Sequence, residues 1–253
     1  MGWANGKHAL VTGAGSGIGA AAANWLANEG ANVSLLGRRR EALEAVALTS
    51  GGTVIPCDVT DRAAMDAAFA AARVANGLFD YVILNAGIAD SGPFLRTPRA
   101  TFDQIIATNL TALFDGAQLA IPDLLEGDDK RLIIVASVAG LRGGAYAAPY
   151  VASKHGAVGL VRSLALEFAK SPMTVNAICP AFVDTPMVDD SAERIARATK
   201  RTLDESRDML ANLNANGRLV TADEVAAAIL FLCRPDSRSI NGACLTLDGG
   251  TSA

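Results

Sequence analysis

Histidine is scarce in this chain of 253 residues, with only His8 and His155, and they stand far apart. Its four cysteines (Cys57, Cys179, Cys233 and Cys244) are widely spaced and include no CxxC pair. No metal site is therefore expected, and the cysteines read as small core hydrophobes in a reducing compartment rather than as disulfides. No apolar run approaches the length needed to cross a bilayer. The first nine residues hold no cationic stretch leading into an apolar one, so no secretory leader is expected and a cytoplasmic protein is. Positive charge is not in excess: 22 Lys and Arg against 26 Asp and Glu leave a net charge of -4, which excludes a general attraction to nucleic acid or anionic membrane. Ser/Gly/Pro-rich linkers and repeats are absent too. Hydrophobic residues at 51% against 19% charged supply a large core and exclude disorder.

Short β-branched and aliphatic runs alternate with longer alanine-rich stretches of helical period. The spacing predicts strands at 8–12, 32–36, 53–57, 81–84, 131–136, 174–178 and 244–247, and helices at 18–28, 40–48, 62–74, 99–125, 149–169 and 222–232. Pro98 and Pro149 fall where helices begin, a position whose missing N–H has no partner to lose. Nearly continuous apolar strands imply burial on both faces, and the β-α alternation implies parallel pairing. The expected fold is an α/β, doubly wound, Rossmann-like parallel sheet flanked by helices, one domain over residues 1–253. The polar segment 185–217 interrupts the alternation and reads as a small helical substrate lid over the strand ends, with a solvated surface helix as the alternative.

Between the first strand and first helix lies Thr12-Gly13-Ala14-Gly15-Ser16-Gly17-Ile18-Gly19. Glycines let the backbone turn tightly against a pyrophosphate, and the helix N-terminus offers free N–H groups with partial positive charge. At the end of the second strand, where an NAD-binding fold places a carboxylate for the ribose 2′-hydroxyl, stands Gly37, followed by Arg38, Arg39 and Arg40. Guanidinium groups suit a 2′-phosphate, so NADP(H) is the expected cofactor, with NAD(H) as the other possibility.

The motif series Thr12-Gly13-x-x-x-Gly17-x-Gly19, Asn85-Ala86-Gly87, Ser137 and Tyr150-x-x-x-Lys154 resembles the short-chain dehydrogenase/reductase family, in order and over essentially the whole chain. The resemblance implies a pyrophosphate turn at Gly13, Ser16, Gly17, Ile18 and Gly19. It implies adenine-side contacts at Asp58 and Val59, a cofactor-side segment at Asn85, Ala86 and Gly87, and a nicotinamide loop at Pro180, Val183 and Thr185. It further implies a catalytic group of Ser137, Tyr150 and Lys154, the last two also touching the cofactor, with Asn109 organising a proton-relay water. Homodimers or homotetramers built on the long helices and the last strand are implied as well. Two positions depart from the family pattern. Pro180-Ala181 replaces the usual Pro-Gly, and Ser16 stands where some NADP-dependent members carry a basic residue, which leaves phosphate recognition to Arg38 and Arg39.

The chemistry suits these residue types. Four apart on a helix, Tyr150 and Lys154 share one face. A free phenol titrates near pH ~10, too high for proton exchange at neutrality, and a neighbouring ammonium is expected to lower that value. Ser137, ending a strand, would orient the substrate oxygen. His155 faces away and receives no role. The substrate side is expected at Ala139, Leu141, Tyr146, Phe182 and Met187, with Arg142 nearby, which suits a carbonyl or alcohol small molecule. The arginines between Glu193 and Arg207 could receive the anionic tail of a 3-oxoacyl thioester, but interleaved acids favour a salt-bridged helix. An NADPH-dependent ketone or 3-oxoacyl-thioester reductase is the leading reading. The rivals are an NAD-dependent alcohol or hydroxyacyl dehydrogenase and a catalytically silent nucleotide-sensing protein.

Overall fold

The structure, a computed structural model, describes residues 2–252. Seven strands form one sheet: β1 (His8–Thr12), β2 (Asn32–Gly37), β3 (Thr53–Pro56), β4 (Tyr81–Leu84), β5 (Lys130–Val135), β6 (Met173–Pro180) and β7 (Cys244–Leu247). Their order is β3-β2-β1-β4-β5-β6-β7 and every pairing is parallel. The helices are α1 (Gly17–Asn28), α2 (Arg40–Ser50), α3 (Arg62–Asn76), α4 (Arg99–Ile106), α5 (Ala112–Leu124), α6 (Ala148–Glu167), α7 (Pro186–Thr199), α8 (Leu203–Ala211) and α9 (Ala222–Cys233).

Strand side chains alternate between two cores. Leu10, Val82, Leu84, Leu132, Ile134 and Val175 meet Met65 and Phe69 of α3, Leu113 of α5 and Val158 and Val161 of α6. Val11, Tyr81, Ile83, Ile133, Val135 and Ile178 meet Ala22 and Leu26 of α1, Leu43 of α2 and Val225 and Ile229 of α9. This is the doubly wound, Rossmann-like arrangement that two-sided apolar strands require. The strand order reverses direction between β1 and β4, and the crevice at their C-terminal ends is where such sheets bind ligands. Among the described residues, no helix is long and apolar enough to cross a membrane.

The opposite rim of the sheet is tied by a buried polar network. Asp80, just before β4, accepts the His8 N–H at 2.9 Å and the Lys7 and Lys130 ammonium groups at 3.0 Å each. The His8 ring bonds the Gly77 carbonyl and the Ser34 hydroxyl, both at 2.8 Å, and its burial favours the neutral form. Arg131 is wholly buried and donates to the carbonyls of Leu232 and Arg234, at the C-terminal end of α9.

One element differs from the sequence expectation. The stretch 99–125 is not one regular helix: a π turn at Ala107–Thr111 separates α4 from α5, with the Ala112 N–H reaching back five residues to the Ala107 carbonyl. The segment 185–217 folds as α7 and α8, which share a small core of Val188, Ala192 and Leu210 with Phe182, Ile195 and Leu219 packed against it. The second of these helices starts with a reciprocal cap between Thr202 and Glu205.

Candidate active site

The crevice is built first from backbone. Thr12 ends β1, and its hydroxyl accepts the N–H groups of Asn85 at 2.9 Å and Ala86 at 3.0 Å. The Asn85 amide donates back to the carbonyls of Thr12 at 3.0 Å and Gly13 at 3.3 Å, so the glycine turn and the end of β4 form one piece. Helix α1 rests directly on this turn. A Cβ on Gly19 would come 2.3 Å from the Gly13 carbonyl oxygen, so only glycine permits the approach. Ser16 is the N-cap of α1 but makes no side-chain cap, and no acidic residue occupies the first turn. The first N–H groups of α1 are therefore open to an anion, while Ile18 packs into the core beneath. The post-β6 loop runs from Pro180 through Val183, which bridges Val220, to Thr185. Thr185 lies so close to the turn that a Cβ on Gly17 would come 2.9 Å from its methyl group.

Past β3, Val59 is buried and Asp58 is exposed. Bonds from the Thr60 N–H (3.0 Å) and hydroxyl (2.8 Å) hold the Asp58 carboxyl below its ordinary range, with a smaller pull from the charge of Arg38. Arg38 and Arg39 are exposed, and only Arg40 of the three forms an ion pair among the described residues, with Glu44 at 3.7 Å.

The residues expected to be catalytic lie past β5. Ser137 is buried, accepts the Ala139 N–H at 3.1 Å and donates to the Pro180 carbonyl at 3.3 Å. Tyr150 sits half-buried in the first turn of α6, and Lys154 one turn later. The Lys154 ammonium is 5.7 Å from the Tyr150 ring centre and donates to the Val135 carbonyl at 2.9 Å. Asn109, fully buried in the π turn, links this group to β4. Its Oδ1 accepts the Ile88 N–H at 2.9 Å, and its Nδ2 donates to the Ile88 carbonyl at 2.9 Å and the Ser153 hydroxyl at 3.2 Å. Ser153 in turn donates to the Tyr150 carbonyl at 2.7 Å. Gly87 leaves the space between these groups clear: a Cβ there would stand 3.3 Å from Asn109 Oδ1 and 3.7 Å from Lys154 Nζ.

Residues 13–252 match the sequence model of a family described as enoyl-(acyl carrier protein) reductase. A D-beta-hydroxybutyrate dehydrogenase of Cupriavidus necator is 37% identical over 97% of this chain and 98% of its own. The chain belongs to the short-chain dehydrogenase/reductase family. With that membership it is an NAD(P)-dependent oxidoreductase acting on carbonyl and CH–OH groups. Another member, the 3-oxoacyl-[acyl-carrier-protein] reductase MabA of Mycobacterium bovis, is 33% identical over 96% of this chain and 92% of its own. An actinorhodin polyketide ketoreductase variant solved with NADPH superimposes with a TM-score of 0.93 at 32% identity, covering 99% of both chains.

The electrostatics of this dehydrogenase/reductase differ from the sequence expectation at one point. In the protein alone, Lys154 does not make Tyr150 acidic. Burial pushes the phenol up, with the Ser137 hydroxyl pulling the other way, and the ammonium is directed at the Val135 carbonyl. Burial also pushes Lys154 itself down to about 8, against a weaker opposing influence from Cys179. The physical reason is that both groups leave water, and each then favours its neutral form.

Of the residues expected to meet the substrate, Ala139 and Leu141 follow Ser137 at intermediate exposure, Leu141 packing on the core. Phe182 packs on the α7–α8 core, and Met187 is partly exposed at the start of α7. Tyr146 is exposed in a left-handed backbone conformation (φ 63°), and its carbonyl accepts the Gly92 N–H at 2.7 Å. It lines a cavity of about 140 Å³ with Asp90, Pro93, Arg96, Thr101 and Pro149. Three arginines of the 193–207 stretch are paired with acids, Arg197 with Glu193 at 2.6 Å, Arg207 with Asp184 at 2.7 Å and with Asp189, and Arg194 facing Asp90 at 3.8 Å, while Arg201 meets the Met209 sulfur. His155 is exposed and bonds the Val151 carbonyl of its own helix. Among the described residues, no group of three or more His, Cys, Asp or Glu is placed to hold a metal ion.

Three contributors escaped the sequence reading as site residues. Thr12 had a signal, since it opens the glycine motif, and Ser153 had one in lying between Tyr150 and Lys154. Asn214 had none beyond a polar neighbourhood, yet it is fully buried and bonds both backbone groups of Phe182, at 3.2 and 3.0 Å.

Proposed function

We propose that the protein is an NADPH-preferring carbonyl reductase in which Tyr150 protonates the substrate oxygen, Ser137 orients it and Lys154 serves both Tyr150 and the cofactor ribose. The observation that carries this reading is the convergence of Ser137, Tyr150 and Lys154 at the strand ends, beside an uncapped α1 and a cleared space at Gly87. A dinucleotide fits the residues present. Its pyrophosphate would lie on the Gly13–Gly19 turn against Ser16, Gly17 and Ile18, its adenine end by Asp58 and Val59, and its nicotinamide end between Asn85–Gly87 and Pro180, Val183 and Thr185. Arg38 and Arg39, with no acidic residue at Gly37, favour a 2′-phosphate.

When bound, the reduced nicotinamide supplies the hydride. Ser137 holds the carbonyl oxygen by a hydrogen bond and Tyr150 delivers the phenolic proton to that oxygen, leaving an alcohol and a phenolate. Lys154 has one of its three donors on Val135, so two remain for a ribose hydroxyl and for stabilising the phenolate. Asn109, through the π turn, fixes α6 against the end of β4 and would hold the relay water that returns a proton to Lys154. Helices α7 and α8 act as the substrate lid, closing on the β4 segment where Arg194 donates to the Ala89 carbonyl at 3.4 Å. The exposed Phe102, Phe114 and Leu166 on α4, α5 and α6 suit a homo-oligomer built on these faces.

The substrate is a small ketone or a 3-oxoacyl thioester. Pairing of Arg194, Arg197 and Arg207 with nearby acids favours the uncharged ketone. Following reduced-nicotinamide absorbance with a panel of ketones and acetoacetyl-CoA, with NADPH and NADH in parallel, tests the reading. Tyr150→Phe should lower kcat about 10²- to 10⁴-fold while leaving the cofactor Kd unchanged. Near-normal turnover by that variant would reject the assignment, and faster oxidation of 3-hydroxy acids with NAD would favour the dehydrogenase reading.

A further inference from the structure

The turn that follows β7, residues 248–252, joins the two walls of the substrate side. Asp248 is buried and folds this turn on itself, accepting the N–H groups of Gly250 at 3.0 Å and Ser252 at 2.9 Å and the Ser252 hydroxyl. Gly249 has a left-handed backbone (φ 61°), and a Cβ there would fall 2.4 Å from the Asn216 side chain, so the turn presses directly on residues just beyond α8.

From this turn Thr251 reaches in two directions. Its hydroxyl donates to the Asp248 carbonyl and accepts the Ala215 N–H at 2.8 Å, and its own carbonyl accepts the Arg142 guanidinium at 3.0 Å. Ala215 adjoins Asn214, which grips Phe182 in the post-β6 loop through both backbone groups and also donates to the Arg218 carbonyl at 2.7 Å. Arg142 belongs to the post-β5 loop that runs from Ser137 to Tyr150. That loop has little packing of its own: Arg142 to Tyr146 are all exposed, and a Cβ on Gly143 would touch nothing within 4 Å. Its ties beyond itself include the Gly92–Tyr146 bond and the Arg142–Thr251 bond.

We infer that the turn after β7 is a strap that sets the width of the substrate cleft, with Thr251 a positioning residue joining the Phe182 wall to the Leu141–Tyr146 wall. This role rests on the reductase reading above. Thr251 touches neither the reacting groups nor the glycine turn; it acts through Arg142 and Asn214.

The test uses the full chain with Thr251→Val, which keeps the shape and removes the hydroxyl, beside Thr251→Ser and Arg142→Met. Loss of one such bond loosens a segment by about two- to tenfold. Amide hydrogen exchange at both 141–147 and 212–217 should quicken by that factor in Thr251→Val, stay at the wild-type rate in Thr251→Ser, and remain unchanged at 13–19 in all. The KM for the ketone should rise by a similar factor in Thr251→Val and Arg142→Met, with the cofactor Kd and kcat unchanged. Exchange that quickens at 212–217 alone, or nowhere, overturns the strap. So does a rise in Thr251→Val exchange that serine does not rescue, or a flat KM in both variants. If the wild-type chain turns over no carbonyl compound, the reductase reading fails while the exchange measurement still decides the strap.

Discussion

Replacing Lys154 with methionine should shift stability in opposite directions at the two ends of an accessible pH range. Burial pushes the Lys154 ammonium from its ordinary 10.5 down to about 8, and at 1.36 kcal/mol per pH unit this corresponds to about 3 kcal/mol. Below pH 8 the amine is protonated in both folded and unfolded chains, and the folded state carries the whole cost of desolvating it. As pH rises through 8 the folded state releases its proton first. The unfolded chain then binds more protons than the folded one, so stability rises with pH until about 10.5. Methionine removes this cost at every pH, but it also leaves the Val135 carbonyl without its 2.9 Å donor, a loss of about 1–3 kcal/mol that does not depend on pH. At pH 7 the variant should therefore match the wild type or exceed it by up to about 2 kcal/mol, and near pH 10, where about 1 kcal/mol of the desolvation cost remains, it should be less stable by up to about 2 kcal/mol. Urea unfolding of both proteins between pH 6.5 and 10, without cofactor and at one protein concentration, measures the difference directly. A difference that stays constant across that range would refute the claim that the folded protein holds a desolvated ammonium at this position.

Two further outcomes follow from the same geometry. Arg38→Ala should reduce kcat/KM with NADPH by about ten- to a hundredfold, the value of a charge-assisted bond to phosphate, and change NADH little; equal losses with both cofactors would remove Arg38 from phosphate recognition. Asn109→Ala strands the Ile88 N–H and carbonyl in a buried place, so urea midpoints should show a loss of about 2 kcal/mol or more, and a midpoint like that of the wild type would mean that the π turn is held by other contacts.

The sheet was legible because its strands are apolar on both faces, and that pattern leaves few alternatives to a parallel, two-sided fold. Ser137, Tyr150 and Lys154 were legible as a set through their order and spacing. What stayed hidden depends on partners distant in sequence. The π turn around Asn109 inserts one extra residue into a helix whose composition gives no sign of it. The direction of the Lys154 ammonium depends on Val135, 19 positions away, and the spacing of Tyr150 and Lys154 alone suggested a closer electrostatic pairing than the one observed. Salt-bridging of the 193–207 arginines was the favoured reading, but three of the acids that meet Arg194 and Arg207, Asp90, Asp184 and Asp189, lie outside that stretch and gave no sign in its pattern. Thr251 gave no sign at all, since its role rests on a backbone N–H and a guanidinium from two other loops.

The Asp80, His8 and Lys130 network has a consequence for how this scaffold tolerates change. It satisfies its own donors and acceptors at the pole of the sheet remote from the crevice, and it pins the first residues of β1 and β5 and the start of β4. Strand register is thus anchored from beneath, independently of the loops above. Exchanging the segments after β5 or β6 for those of a relative should leave the sheet intact, so substrate preference can be redrawn by grafting at one pole while folding remains governed by the other.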